Sequence, residues 1–206
     1  MPYKTIYDKA SDSFIVDKSE FIGQICPVKT NEEAVAFIES VKAENRKARH
    51  NCYAYVLRDE NITRYSDDGE PQGTAGPPIL DVIVKNGLTD VCVVVTRYFG
   101  GILLGKGGLT RAYSQGAVIA VNAAKIMNMC EGYELTITVD YSLYDKINYV
   151  LPDFEIKLLD TDYSDVIKIK LLVREEMLSS LEEKLVDISN GKINIAKSDK
   201  LYADFA

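Results

Sequence analysis

The chain has 206 residues, with 24 Lys and Arg against 31 Asp and Glu, a formal net charge of −7, and 47% hydrophobic residues. That is enough apolar material for one large or two small cores, and it excludes extended disorder. The acidity argues at first against a polyanion partner, because affinity for phosphate backbones comes from Lys and Arg. Cys26, Cys52, Cys92 and Cys130 form no C-x-x-C pair and sit in or beside apolar stretches, as buried thiols of a reducing compartment do. His50 is the only histidine, so a tetrahedral zinc site would need three scattered cysteines, and neither a metal nor a cofactor is expected. There is no signal-peptide-like apolar segment and no run of about 18 apolar residues, so a cytoplasmic protein without membrane contact is expected.

In chain order, residues 14–16 and 21–28 are predicted strands. Thr30-x-x-Glu33 is a capping box opening a helix with Val35, Ile38 and Val41 on its apolar face. Residues 51–57 predict a buried strand, with 62–65 as its hairpin partner across a polar turn at 58–61. A second helix is expected after Gly76, where Pro77 and Pro78 suit a first turn, and it ends at Asn86-Gly87. Residues 91–96 are almost uniformly β-branched or apolar, as in a central strand, and 109–125 read as a third helix with small residues for close packing. From about residue 131 the pattern is strand 135–139, helix 145–151, strands 154–159 and 166–173, a helix with Met177, Leu178, Leu181, Leu185 and Ile188 inward, a cap at Gly191 and a strand at 193–195. That β-α-β-β-α-β order is the ferredoxin-like plan.

The fold class expected is therefore α+β in two domains, 1–130 and 131–206. The first holds 15 cationic and 15 acidic residues and is neutral; the second holds 9 and 16, so all the net acidity lies there. The objection to a polyanion partner then applies to the second domain alone.

Two segments of the first domain exceed what a core or a surface needs. Residues 65–76, YSDDGEPQGTAG, form a polar, glycine-punctuated loop leading into a helix. Asp67, Asp68 and Glu70 could make a hard oxygen site for Mg2+ or Ca2+, anchor basic side chains, or form a solvated turn. Gly73, Thr74 and Gly76 bring backbone N–H groups to a helix N-terminus, which favours an anion, although tight-turn geometry also uses such glycines. Residues 97–111, RYFGGILLGKGGLTR, lie between a buried strand and a helix. Gly100 to Lys106 nearly spells a phosphate-binding G-x-x-x-x-G-K loop, but Gly107 stands where Ser or Thr must hold Mg2+, and Ile102, Leu103 and Leu104 are apolar. What remains is an anion seat made of Gly100, Gly101, Gly108 and neighbouring glycines with Arg97, Lys106 and Arg111. Tyr98 and Phe99 suit either base stacking or core packing. His50 and Asn51 open a strand beside Arg49, and Cys52 lies too close in sequence on the same face to pair naturally with His50.

Residues 49–55 (RHNCYAY), 66–76 and 97–105 (RYFGGILLG), followed by GGLTRAY at 107–113, resemble the IMPACT family in the form of its bacterial YigZ-type members. The resemblance covers essentially the whole chain. It implies a first domain with the fold of ribosomal protein S5 domain 2 and a ferredoxin-like second domain, similar to consecutive domains of the translocation elongation factor. Its motif positions are His50, Asn51, Asp67, Asp68, Gly69, Glu70, Pro71, Gly73, Thr74, Gly76, Arg97, Phe99, Gly100, Gly101, Gly105, Gly108, Arg111 and Tyr113. Pro77 departs from the pattern, in which a basic or polar residue often follows the Gly-Thr-Ala-Gly segment. Eukaryotic relatives restrain a translation-initiation-factor kinase through an additional N-terminal domain, so that role is not expected here. The resemblance implies a partner among nucleic acids or the translation machinery, as proposed for bacterial members, and no catalytic mechanism is attached to the family.

The function expected is a binding module, more an adaptor than an enzyme, engaging RNA or ribosomal phosphate through Arg97, Lys106 and Arg111, with Arg49 and Arg64 as further cations. The alternative is an enzyme acting on a small phosphorylated or carboxylated substrate, with Asp67, Asp68 and Glu70 as metal or acid/base groups. A third reading has the motif carboxylates paired internally, Asp67 and Asp68 with Arg97 and Arg111, and function residing in contacts with a protein partner.

Overall fold

The computed structural model describes residues 2–59 and 61–205; the residue at 60, in the turn expected at 58–61, lies outside the described residues. The protein is mixed α+β, with two sheets and five α-helices among the described residues. It divides into two compact units, one of residues 3–127 and one of residues 128–205 with residue 2.

In the first unit, β2 (Ala10–Val16), β3 (Ser19–Pro27), β4 (His50–Leu57), β5 (Ile62–Ser66) and β6 (Val91–Tyr98) form an antiparallel sheet in the order β2-β3-β6-β4-β5. A short β1 (Tyr3–Ile6) precedes them. The two-residue turn joining β2 to β3 places both Asp17 and Lys18 at positive φ, the backbone that a tight hairpin with native twist requires.

Helices cover both faces of this sheet, which accounts for the apolar uniformity of β6. Val91, Val93 and Val95 pack into the core shared with α2 (Gly76–Lys85) and α3 (Gly105–Ala123), and Cys92 and Val94 into the core under α1 (Asn31–Glu44). The capping box forms in part: the Thr30 hydroxyl accepts from the Glu33 amide at 3.2 Å, while the Glu33 carboxylate reaches one residue further back, to the Lys29 amide. Helix α3 lies close on β3. A Cβ added at Gly23 would stand 2.0 Å from the Gly116 carbonyl oxygen, and one at Gly116 would stand 2.6 Å from a Val95 methyl.

The second unit runs through β7 (Ile126–Val139), α4 (Tyr141–Val150), β8 (Ile156–Tyr163), β9 (Ile167–Arg174), α5 (Glu175–Ser189), β10 (Asn194–Lys197) and β11 (Leu201–Asp204). Its strands pair antiparallel in the order β10-β7-β9-β8, with β11 on the earlier part of β7. Leu135, Ile137 and Val139 meet Ile167, Ile169, Leu171 and Val173, under Leu178, Leu181 and Leu185 of α5. Several details differ from the sequence reading: among them, β1 is not one of the expected strands, α3 starts at Gly105 rather than 109 and β8 runs to Tyr163 rather than 159. β7 begins at Ile126, earlier than expected, because α3 stops at Ala123. Helix α4 starts at Tyr141 rather than 145, and Leu143 and Tyr144 of its first turn pack against the core. Asn190 takes the left-handed cap of α5 at φ 49°, ahead of Gly191. β11 is an additional strand with no counterpart in the sequence pattern.

The Gly23–Gly116 approach leaves no room for a methyl group against backbone. Gly23→Ala is expected to cost about 2–3 kcal/mol or more, seen as a lower urea midpoint with an unchanged slope; a midpoint equal to wild type would show that the helix can move away.

Candidate functional site

Loop 66–76 and the 97–111 segment meet, and the contact is made by Glu70. Its Oε1 accepts from Arg97 Nη1 at 2.7 Å and from the Tyr113 hydroxyl at 2.8 Å. Both ionic side chains are buried, Arg97 to 7% exposure and Glu70 to 4%. The hydrogen-bonded pair is surrounded by aromatic rings: the Arg97 guanidinium carbon lies 5.6 Å from the Phe21 ring centroid and 5.3 Å from that of Phe99, and Phe21 meets Tyr113 edge to face. Arg97 Nε is buried without a hydrogen-bond partner. Burial, then the neighbouring Cys52 and the Glu70 carboxylate, raise the Tyr113 pKa, so the phenol keeps its proton and donates.

Asp67 occupies the N-terminus of α2. Its carboxylate accepts from the amides of Gly73 (2.8 Å), Ala75 (2.9 Å) and Gly76 (2.8 Å). Burial acts against the charge, but the amide bonds from Gly73, Gly76 and Ala75 outweigh it and hold the Asp67 pKa below the ordinary carboxylate value. The N–H groups of this loop, which the sequence offered to an external anion, are thus filled by the loop's own carboxylate. Thr74 is likewise internal, its hydroxyl donating to the Pro71 carbonyl at 2.7 Å.

Asp68 binds the start of β4. Its carboxylate accepts from the Asn51 amide at 2.7 Å and lies 3.8 Å from Lys42 Nζ. Its carbonyl is 2.9 Å from His50 Nδ1; a carbonyl can only accept, so Nδ1 carries the proton. The Asn51 side chain accepts from Thr96 on the neighbouring strand at 2.8 Å. Cys52 points to the Asp67 carbonyl at 3.0 Å, and burial raises its thiol pKa. No Cys52–His50 contact forms, and a thiol held protonated there is a poor nucleophile. The expected partners are therefore shifted by residue: Glu70, not Asp67 or Asp68, holds Arg97, and the Asp67 carboxylate caps a helix. Among the described residues, no group of three or more His, Cys, Asp or Glu side chains is arranged to hold a metal ion.

The 97–111 segment is different. Gly100 is required by packing, since a Cβ there would stand 2.0 Å from the Lys18 backbone, and its amide donates to Ser19 Oγ at 3.1 Å. Beyond it the chain is open. Gly101 and Gly105 have positive φ, and a Cβ added at either would meet nothing within 4 Å. Phe99 and Leu103 are 51% and 86% exposed, with Ile102 beside them. Helix α3 begins here with no capping side chain and no acidic residue in its first turn. Lys106, Gly107 and Arg111 are exposed and Gly108 half-buried, and among the described residues neither Lys106 nor Arg111 forms an ion pair. Residues 91–130 contain no Asp or Glu. Tyr98 is engaged elsewhere, donating to Asn45 Oδ1 at 2.8 Å. Arg49 and Arg64 are exposed, outside the Glu70 contact.

Sequence reasoning placed Tyr113 only among the motif positions, without its bond to Glu70, and missed Thr96 and Lys42 as members of this network. Tyr113 had a signal, since a fully buried tyrosine on a helix otherwise rich in small residues needs a partner for its hydroxyl.

The fold and these loops are those of a known family. Residues 17–121 match the Impact N-terminal domain, and residues 137–192 match a domain of unknown function, DUF1949. The chain is 35% identical over 205 residues to the IMPACT family member YvyE of Bacillus subtilis, covering 99% of this chain and 94% of that one. It is 34% identical over 183 residues to YigZ of Escherichia coli, covering 87% and 90%. A crystal structure titled as a hypothetical protein superposes with TM-score 0.61 at 32% identity, covering 94% of this chain and 96% of that one. The chain belongs to the IMPACT family. The rabbit protein named Protein IMPACT is 37% identical over 93 residues, 43% of this chain but 29% of its own length.

Two outcomes follow from the geometry. Asp67→Ala should destabilise the first unit by about 1–3 kcal/mol at neutral pH, as loss of a multiply bonded helix cap does. Because the folded pKa is depressed, this contribution is present above the unfolded value near 4 and is lost as pH falls through the folded value. Denaturant midpoints of wild type and variant should therefore converge in acid; a pH-independent gap would contradict the assignment. Glu70→Ala leaves Arg97 buried and uncompensated and should cost about 3–5 kcal/mol, measured by urea unfolding, with Glu70→Gln milder.

Proposed function

We propose that the protein is a translation-associated binding module whose first unit engages phosphate groups of RNA or of a ribosomal site. The observation that carries this reading is the difference between two helix N-termini in one unit. That of α2 is filled by Asp67, whereas that of α3 has no capping side chain and lies in an acid-free stretch with Lys106 and Arg111 exposed. Backbone N–H groups, helix dipole and two cations together suit a phosphate. Gly101, Gly105 and Gly108 let the backbone approach it. In this reading His50, Asn51, Asp67, Asp68, Glu70, Gly73, Thr74, Gly76 and Arg97 hold the seat in place rather than touch the ligand. The carboxylates on which metal or acid/base chemistry would depend are engaged in internal bonds, which favours binding over catalysis.

The β-α-β-β-α-β order of the second unit and its strand order support a ferredoxin-like assignment for 131–206, and family membership supports an S5 domain 2-like fold for 1–130. Resemblance to two elongation-factor domains supports a partner in the translation machinery and, with it, a cytoplasmic location. Among the described residues no helix is long and apolar enough to cross a membrane.

The experiment is a salt titration of RNA binding by fluorescence anisotropy. Affinity should fall linearly in log–log form with salt, and Lys106→Ala and Arg111→Ala should each weaken binding and reduce the slope by about 0.7 for a single strand, one phosphate contact apiece. Arg97→Ala is a poor probe, because it breaks the buried pair. Absence of binding at low salt, or binding insensitive to salt, would overturn the reading.

A further inference from the structure

We infer that Phe99 is a stacking platform for an unpaired base, which makes single-stranded RNA, rather than duplex, the ligand of the first unit. The inference rests on the phosphate-binding reading above and adds the part of the nucleotide that phosphate contacts do not see.

The geometry begins with Arg97. Its guanidinium is buried, fixed by Glu70 at 2.7 Å, and its carbon lies 5.6 Å from the Phe21 ring centroid and 5.3 Å from that of Phe99 at the end of β6. A cation over one face of an aromatic ring holds it in place without covering its other face. Phe99 is 51% exposed, although a phenylalanine of this size would normally be buried after such a strand. The backbone behind it is fixed as well, since Gly100 is pinned to Ser19 and pressed against Lys18. The ring is therefore presented on a rigid base, and a platform that is already ordered loses little entropy when a base stacks on it.

Its setting selects the ligand. The chain from Phe99 leads through an open glycine loop to the α3 N-terminus, where Lys106 and Arg111 stand exposed in a segment without Asp or Glu. An aromatic ring followed along the chain by a cationic phosphate seat matches the combination that reads single strands, because every base offers a π-face and the backbone supplies the charge. A duplex offers the phosphates but keeps its bases stacked on one another, so it would use the cations and leave Phe99 idle. Tyr98, the other aromatic at this point, is turned to Asn45, leaving Phe99 as the residue of the pair with an available ring.

The chain contains no tryptophan, so Phe99→Trp installs a single fluorescent reporter at the platform. Titration of this variant with a twelve-nucleotide uridylate strand should quench the indole, and the same titration with an RNA duplex of equal length should leave it nearly unchanged. In anisotropy, Phe99→Leu keeps an apolar side chain but loses the flat ring; it should weaken single-strand binding about 5- to 150-fold, the worth of one stacked base. Its salt slope should stay that of wild type, in contrast to Lys106→Ala and Arg111→Ala. If wild type and Phe99→Leu bind the strand equally, or if the substitution weakens strand and duplex alike, stacking is wrong while the phosphate reading stands. If wild type binds no RNA at low salt, both fail together. A shift of the Phe99→Trp emission with anionic phosphatidylglycerol vesicles but not with RNA would instead assign the exposed Phe99, Ile102 and Leu103 to a lipid surface and overturn the inference.

Discussion

The buried pair of Glu70 and Arg97 is the interaction on which the first unit's loops depend. Two charges removed from water are tolerable only when each meets the other with good geometry. Here a bond of 2.7 Å is completed by the Tyr113 hydroxyl. Those three side chains come from a loop, a central strand and a helix that are distant in the chain, so the pair fixes three separate elements at one point. The same residues are among those on which the resemblance to the family rests. Much of what makes the 66–76 segment look chemically active is therefore the polar machinery needed to close it on β6 and α3.

This changes how the charges of the two segments are to be read. Asp67, Asp68 and Glu70 each face inward, to amides of α2, to the start of β4 and to Arg97. Arg97 is the one cation of the glycine-rich segment that is neutralised by them. Lys106 and Arg111 lie further along, at the opening of α3. The acidic loop and the glycine-rich segment are thus not a matched set of opposite charges. One helix N-terminus is satisfied from within and the other is left without a carboxylate, and the proposed phosphate site rests on that asymmetry.

Much of the fold could be read from the residues because it rests on local rules. Val91 to Val95 had to be a central strand, since an apolar run buried on both faces leaves no alternation to see. Thr30 and Glu33 marked the start of α1 through a hydrogen bond spanning three residues. What escaped was short, polar or long-range. The early half of β2, from Ala10 to Ser13, is largely exposed and carries no alternation, and β11 is four residues long, taking its register from β7. The site was legible as a set of residues but not as a set of pairs. Spacing does not say which of three nearby carboxylates will face a strand further along the chain; that depends on the loop's path, which Asp67 sets by binding the amides of Gly73, Ala75 and Gly76. Gly100 shows the same limit, since its reason is the Lys18 backbone, far away in sequence and invisible to a motif.

The net charge of −7 finally has a different meaning from the one it suggests at the outset. Charge acts on a phosphate over roughly 8 Å at physiological ionic strength, so a whole-chain total is the wrong quantity for a local seat. The relevant quantity is the field near the α3 N-terminus, and there the whole stretch of sequence 91–130 contributes no negative charge. The acidity belongs to the other unit, where Glu155, Glu175 and Glu176 surround Arg174 and Lys200 in exposed pairs of little energetic weight. Such a unit adds solubility and disfavours indiscriminate attraction to polyanions, whereas an overall basic protein of this size would bind any nucleic acid through charge alone. In the proposed phosphate-binding reading, recognition rests on the local geometry of one loop and one helix end, whose glycines permit close approach of the backbone.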